Sequence, residues 1–234
     1  MNVLTQADCL ALWETGRSLH PLDKGLMAVQ AAFSTSQESV ADWPLGRRNR
    51  ALAELRCASF GSRLRGWTKC QGCGEQLEFD LDGRTLAESA VPECDAQVVV
   101  DGQRYRLPTS RDIAELVHEH DASAAAEQLL RQCFVGGDAV EREWNEEQIA
   151  AIGESMAAAD PLAEIQLSFD CPGCGVQFED GFDLASFLWA ELEARAKRTL
   201  MDVHLLASAY GWSETEILSL TPARREFYLE MVHA

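Results

Sequence analysis

Two five-residue stretches set the terms for this chain: Cys70-Gln71-Gly72-Cys73-Gly74 and Cys171-Pro172-Gly173-Cys174-Gly175. Each is a Cys-x-x-Cys-Gly knuckle, a tight turn that aims two thiolates at one point. The glycine behind the second sulfur supplies the positive φ the turn needs. Two knuckles complete the shell of a tetrahedral zinc ion, with Zn–S bonds of about 2.3 Å. The predicted ligands are therefore Cys70, Cys73, Cys171 and Cys174, with Zn²⁺ as the cofactor, although four thiolates suit iron as well. A redox dithiol is the rival reading, but that motif occurs once, at a helix N-terminus after a strand. The spacing is unusual. Between Cys73 and Cys171 lie 97 residues, where a compact zinc ribbon uses roughly 15–20. One ribbon split by a long insertion, with the metal holding the insertion's ends together, is the expectation.

The other four cysteines, Cys9, Cys57, Cys94 and Cys133, are scattered and read as buried thiols. Of these only Cys94 is weighed as a substitute ligand, without a paired spacing to support it. No apolar run approaches the ~20 residues of a membrane span, and no basic segment precedes a signal-like apolar core. The expected location is cytoplasmic, with incorporation into a larger particle left open. The formal net charge is −18. Residues 1–69 carry nine Lys/Arg against six Asp/Glu, and the remainder carries 11 against 32. Such a surface repels phosphate and forgoes counterion release, which weighs against nucleic acid and favours protein partners. The run Arg47-Arg48-Asn49-Arg50 reads as the solvated first turn of a helix rather than a phosphate site.

In order, helices are expected over 6–14 (Thr5 and Asp8 forming a capping box), over 21–33 and over 47–60, where Gly61 is the stop. A polar loop follows the second helix. Strand alternation begins at Leu77, Phe79 and Leu81, and Asp101-Gly102 joins two strands in a hairpin. Three helices follow, one capped by Ser110, one over 124–133 and one opened by Asn145 and Gln148. A strand through Ile165, Leu167 and Phe169 leads into the second knuckle. Asp183 caps a long helix over 184–208, which Gly211 stops. Ser213 with Glu216 and Thr221-Pro222 open the last two helices. The fold class is α+β: a mainly helical protein around a split Cys₄ zinc ribbon. It divides into an N-terminal helical bundle (1–66), a split ribbon (67–180) with an inserted hairpin and helices (about 82–163), and a C-terminal helical unit (181–234).

Several runs resemble a known family. They are Phe182-Asp183-Leu184-Ala185-Ser186-Phe187-Leu188-Trp189, Val203-His204-Leu205-Leu206-Ala207-Ser208-Ala209-Tyr210-Gly211-Trp212-Ser213-Glu214, and Ile217-Leu218-Ser219-Leu220-Thr221-Pro222-Ala223-Arg224-Arg225 with Tyr228-Leu229-Glu230-Met231-Val232. Leu45-Gly46-Arg47-Arg48, the first knuckle followed by Leu77-Glu78-Phe79, and Leu107-Pro108-Thr109-Ser110-Arg111-Asp112 fit as well. Together they resemble the baseplate hub assembly chaperone family of contractile-tailed phages and related contractile injection systems. Gln71 departs from the proline expected there, without cost to metal binding. The resemblance implies an assembly factor or minor baseplate component whose partners are hub or tail proteins. It carries over no catalytic residue.

No His-x-x-x-His, Gly-x-Ser-x-Gly or phosphate-cradling glycine loop is present, and a four-sulfur shell leaves no open position for water. A non-enzymatic role follows, with a zinc-ribbon nucleic-acid or transcription adaptor as the alternative. His118, His120 and His204 read as surface or packing histidines. Trp189, Tyr210, Trp212, Phe227 and Tyr228 are the candidate partner-binding residues, because a unit this short cannot bury five rings; core packing is the competing reading.

Overall fold

The computed structural model describes residues 2–33, 39–136 and 143–233. The polar loop expected after the second helix lies outside them, over 34–38. Helices α1 (Gln6–Gly16), α2 (Pro21–Phe33) and α3 (Leu45–Phe60) lead to strand β1 (Arg63–Lys69), which pairs antiparallel with β2 (Gln76–Asp82). The first knuckle is the tip of this hairpin. Helix α4 (Arg84–Ala87) opens the insertion, followed by β3 (Gln97–Val100), β4 (Gln103–Arg106), α5 (Ser110–Leu116), α6 (Ala122–Cys133), β5 (Phe134–Val135) and α7 (Glu146–Ala159). The second metal hairpin pairs β6 (Gln166–Asp170) with β7 (Gln177–Gly181). Helices α8 (Leu184–Tyr210), α9 (Glu214–Ser219) and α10 (Pro222–His233) close the chain. This is the expected α+β fold: mainly helical, with small antiparallel sheets and the two knuckles on separate hairpins.

Helices from both ends of the chain share one core. Val29, Leu52, Leu55, Leu184, Leu188 and Leu192 are fully or nearly fully buried in it. Close approach depends on glycine at two points. A Cβ at Gly16 would lie 2.3 Å from Met27 Cε and 2.5 Å from Trp189 Cη2. A Cβ at Gly25 would lie 3.0 Å from Ala185 Cβ. The core is tied across α3 and α8 by Arg56, which donates to both carboxylate oxygens of Glu191 at 2.9 and 2.7 Å. The insertion has a core of its own, in which Tyr105, Leu107, Leu130, Ile152 and Met156 pack around Trp144. Trp144 Nε1 donates to Tyr105 Oη at 3.0 Å, so the buried indole is satisfied.

Most predicted caps are present. Thr5–Asp8, Asn145–Gln148 and Ser213–Glu216 form capping boxes, Asp183 caps α8, and Gly211 ends it with φ 69°. Two details differ. The cap of α5 is Thr109, paired with Asp112, and Ser110 is the first helical residue, wholly buried and bonded to Arg48. Helix α6 starts two residues before the predicted 124, because Asp121 accepts from Ser123 and Ala124.

Candidate metal centre

The two knuckles are built alike. In the first, Gly74 N donates to Cys70 O at 2.9 Å and Cys70 N to Glu75 O at 2.8 Å. In the second, Gly175 N donates to Cys171 O at 2.9 Å and Cys171 N to Val176 O at 3.0 Å. Gly74 and Gly175 take φ of 77° and 74°, the conformation a Cβ disfavours, so both predicted glycine roles hold. Gly72 N adds a bond to Cys70 Sγ at 3.3 Å.

These turns bring all four predicted ligands together. The Sγ atoms of Cys70, Cys73, Cys171 and Cys174 lie within 4.8 Å of one another. The nearest pairs run across the knuckles, Cys70–Cys174 and Cys73–Cys171, each at 3.6 Å. That is far beyond the ~2.05 Å of a disulfide. It is close to the ~3.8 Å edge of a tetrahedron whose arms are Zn–S bonds of ~2.3 Å. Donor type, number and spacing therefore fit a zinc ion. The first cysteine of each knuckle is buried and the second exposed.

The thiols' acidities point the same way. Backbone N–H groups, chiefly that of Cys73 and then Gly72, hold Cys70 down to about 6. Cys73 receives the Glu75 N–H, yet the adjacent Cys174 and Cys171 sulfurs push it up to about 12. Four sulfurs packed this closely cannot all ionise unless a cation neutralises them. Glu75 adds to the negative field: its carboxylate lies 3.9 Å from Cys171 Sγ and occupies the place where a Cβ of Gly173 would sit, 1.9 Å from Oε2.

Comparison of the chain with protein-family models, curated proteins and solved structures finds no match. The four-cysteine group is the one metal-capable cluster among the described residues. Cys94 stands apart from it, receiving Arg47 Nη1 at 2.5 Å. His118, His120 and His204 are exposed and outside it. Among the described residues no helix is long and apolar enough to cross a membrane.

The candidate partner residues divide into three groups. Trp189 is buried against Gly16, with Lys24 Nζ 5.0 Å above its ring. Tyr210, Trp212 and Tyr228 form a cluster: Tyr210 and Trp212 stack at 4.7 Å, and Tyr228 meets Trp212 edge-on at 4.9 Å. Phe227 turns outward, 61% exposed, and Met231 lies one turn further along the same face. The sequence reading missed β1, the strand that carries the first knuckle. Its inward positions are Leu64, Gly66 and Thr68, and the glycine breaks the apolar alternation. The missing side chain is supplied from across the ladder by Phe79, whose Cζ lies 2.4 Å from where a Gly66 Cβ would be. The only local signal was Trp67 among alternating cations.

Proposed function

We propose that this chain is a non-enzymatic, zinc-stapled assembly protein of a contractile phage tail or tail-like injection system. It is a baseplate component or hub assembly chaperone that works in the cytoplasm through contacts with hub or tail proteins. The observation that carries this reading is the C-terminal unit. The stretch that most closely resembles the baseplate family presents Phe227 and Met231 to solvent beside the Tyr210–Trp212–Tyr228 cluster. Exposed aromatic and methionine side chains on one helix face are the usual anchors of protein interfaces. The zinc shell supports the same reading, since four sulfurs leave no position for substrate or water and assign the metal a structural task.

The test is co-purification of the tagged chain with separately expressed hub and tail components, comparing wild type with Phe227→Ala and Met231→Ala while melting is followed in parallel. Hub or tail binding that falls at least tenfold in variants with unchanged melting supports the proposal. Absence of binding to every hub and tail component, with the protein folded and zinc-loaded, overturns it.

A further inference from the structure

We infer that the four-cysteine centre is a redox-sensitive staple. A hydroperoxide converts it into two disulfides that both cross between the hairpins, Cys70–Cys174 and Cys73–Cys171, so the metal is released while the ends of the insertion stay joined. The inference rests on the positions of the four sulfurs and does not depend on the baseplate reading.

Both sulfur–sulfur contacts of 3.6 Å run from one hairpin to the other. Each also matches unlike partners: Cys174 and Cys73 are exposed, whereas Cys70 and Cys171 are buried. An exposed sulfur is the one a peroxide can reach. A second sulfur in contact with it resolves the sulfenic acid to a disulfide before oxidation goes further. The cluster thus holds two such pairs, and neither shares an atom with the other.

The hairpin tips keep this register through groups other than the sulfurs. Thr68 Oγ1 donates to Asp180, and Gln71 Nε2 donates to Glu179 O at 3.4 Å. Gly72 backs onto Val176, whose Cγ2 lies 3.1 Å from where a Gly72 Cβ would be. Behind the tips the rings of Phe79 and Phe169 meet with centroids 6.0 Å apart. The paired sulfurs therefore remain neighbours as their charge is consumed. Each pair has about 1.5 Å left to close to reach the ~2.05 Å of a disulfide.

With hydrogen peroxide as the oxidant, the exposed thiolate attacks one peroxide oxygen. An S–O bond forms, the O–O bond breaks and hydroxide leaves. The buried thiolate then attacks that sulfur, forming the S–S bond and expelling a second hydroxide, and two protons convert both hydroxides to water. Each disulfide thus consumes one peroxide and two protons; the two sulfurs lose the two electrons that the peroxide gains. Two such events use all four donors. A disulfide sulfur is no longer a thiolate ligand, so the site cannot retain its ion.

The experiment treats the zinc-loaded full chain with hydrogen peroxide, follows zinc release with a chromogenic chelator, blocks remaining thiols with N-ethylmaleimide and maps disulfides by tandem mass spectrometry of the unreduced digest. One zinc should appear for every two peroxides consumed, with Cys70 bonded to Cys174 and Cys73 to Cys171. The fully buried Cys9 and Cys133 should stay reduced. Amides of the two hairpins should exchange at least tenfold more slowly in the oxidised, zinc-free chain than in reduced chain stripped with a chelator. Dithiothreitol and zinc should restore the starting state. Bonds within the knuckles, Cys70–Cys73 and Cys171–Cys174, would leave the hairpins unlinked and overturn the inference. Sulfinic acids without disulfides would overturn it as well, as would retention of zinc and four reduced thiols at peroxide levels that fully oxidise glutathione. Equal exchange in the oxidised and stripped forms would show that the new bonds do not staple the hairpins, and would also refute it.

Discussion

Asp160 accepts a hydrogen bond from the backbone N–H of Gly46 at 2.9 Å, and so caps a helix whose second residue lies 114 residues earlier in the chain. Pro44 precedes α3 and has no side chain able to cap it. The insertion does that work from two separate points along its length: Pro108 O takes the Leu45 N–H at 3.1 Å, and Asp160 takes the next one. The inserted unit is thus docked on the first turn of α3 by answering donors that α3 cannot satisfy itself. A Cβ at Gly46 would lie 1.8 Å from Asp160 Oδ1. Gly46→Ala should destabilise the chain by about 1–3 kcal/mol, the range of core overpacking. Asp160→Ala should cost ~1 kcal/mol as a lost cap. Urea denaturation of the two variants checks both values.

The same carboxylate predicts a pH dependence. Burial raises the proton affinity of Asp160 against the opposing pull of the Gly46 N–H and the Arg48 charge. The folded chain then binds this proton more tightly than the unfolded chain. The resulting stabilisation is complete below the unfolded value of ~3.9 and is lost as pH rises through the folded value. Asp160→Asn keeps an acceptor for Gly46 and cannot titrate. Relative to that variant, wild type should lose stability as pH rises from the unfolded value upward, whereas acid loss of metal is common to both. A pH-independent difference between the two melting curves would refute the assignment.

Glu191 is the only carboxylate that Arg56 engages among the described residues, and Arg56 is 3% exposed. Removing the carboxylate leaves a buried guanidinium whose remaining hydrogen-bond partner is Gly61 O, with the Phe187 ring 5.7 Å away. Glu191→Ala should therefore cost about 3 kcal/mol, the lower end for breaking a buried pair. Arg56→Met in the Glu191→Ala background should recover part of that loss, because the stranded charge is gone. A double-mutant cycle with no coupling between the sites would contradict this.

Metal removal tests the split ribbon. One zinc per chain is expected by elemental analysis of protein purified without added metal; two ions, or none, would exclude a single shared site. Cys174→Ser should lower the melting temperature sharply, since coordination and the restraint on a loop of about 100 residues are lost together. Hydrogen exchange should rise most in the two metal hairpins and least in α1 to α3. Equal protection of the hairpins in mutant and wild type would show that the ion does not hold them.

Much of this architecture was legible because its signals are local. A capping box places Ser213 and Glu216 three residues apart, and a knuckle declares itself in five residues. The ligand set followed from those knuckles alone. What could not be read was carried by long-range compensation. Gly66 conceals β1 because the ring that completes its face belongs to Phe79 on the neighbouring strand. Ser110 looked like a cap, but Thr109 with Asp112 offers the reciprocal pair, and Arg106 holds Asp112 in place at 2.6 Å. The cap of α3 is invisible in its own sequence, since its acceptors come from Pro108 and Asp160.

The C-terminal rings predict two kinds of variant in one short segment. Trp212 touches both Tyr210, stacked at 4.7 Å, and Tyr228, edge-on at 4.9 Å. Tyr228 in turn lies on the side of α10 that faces α8, along with half-buried Leu229 and Val232. Trp212 is therefore the piece that joins the end of α8 to α10. Each aromatic pair is worth about 0.5–1.5 kcal/mol beyond its buried area, so Trp212→Ala should destabilise this unit by roughly 1–3 kcal/mol. Phe227 lies one residue away with no ring neighbour among the described residues, and Phe227→Ala should stay within about 0.5 kcal/mol of wild type, as surface substitutions do. Thermal melts with near-ultraviolet circular dichroism separate the two. Loss of the aromatic signal should accompany Trp212→Ala alone. Comparable destabilisation by Phe227→Ala would mean that this ring is packed in solution, and would remove it from the partner surface.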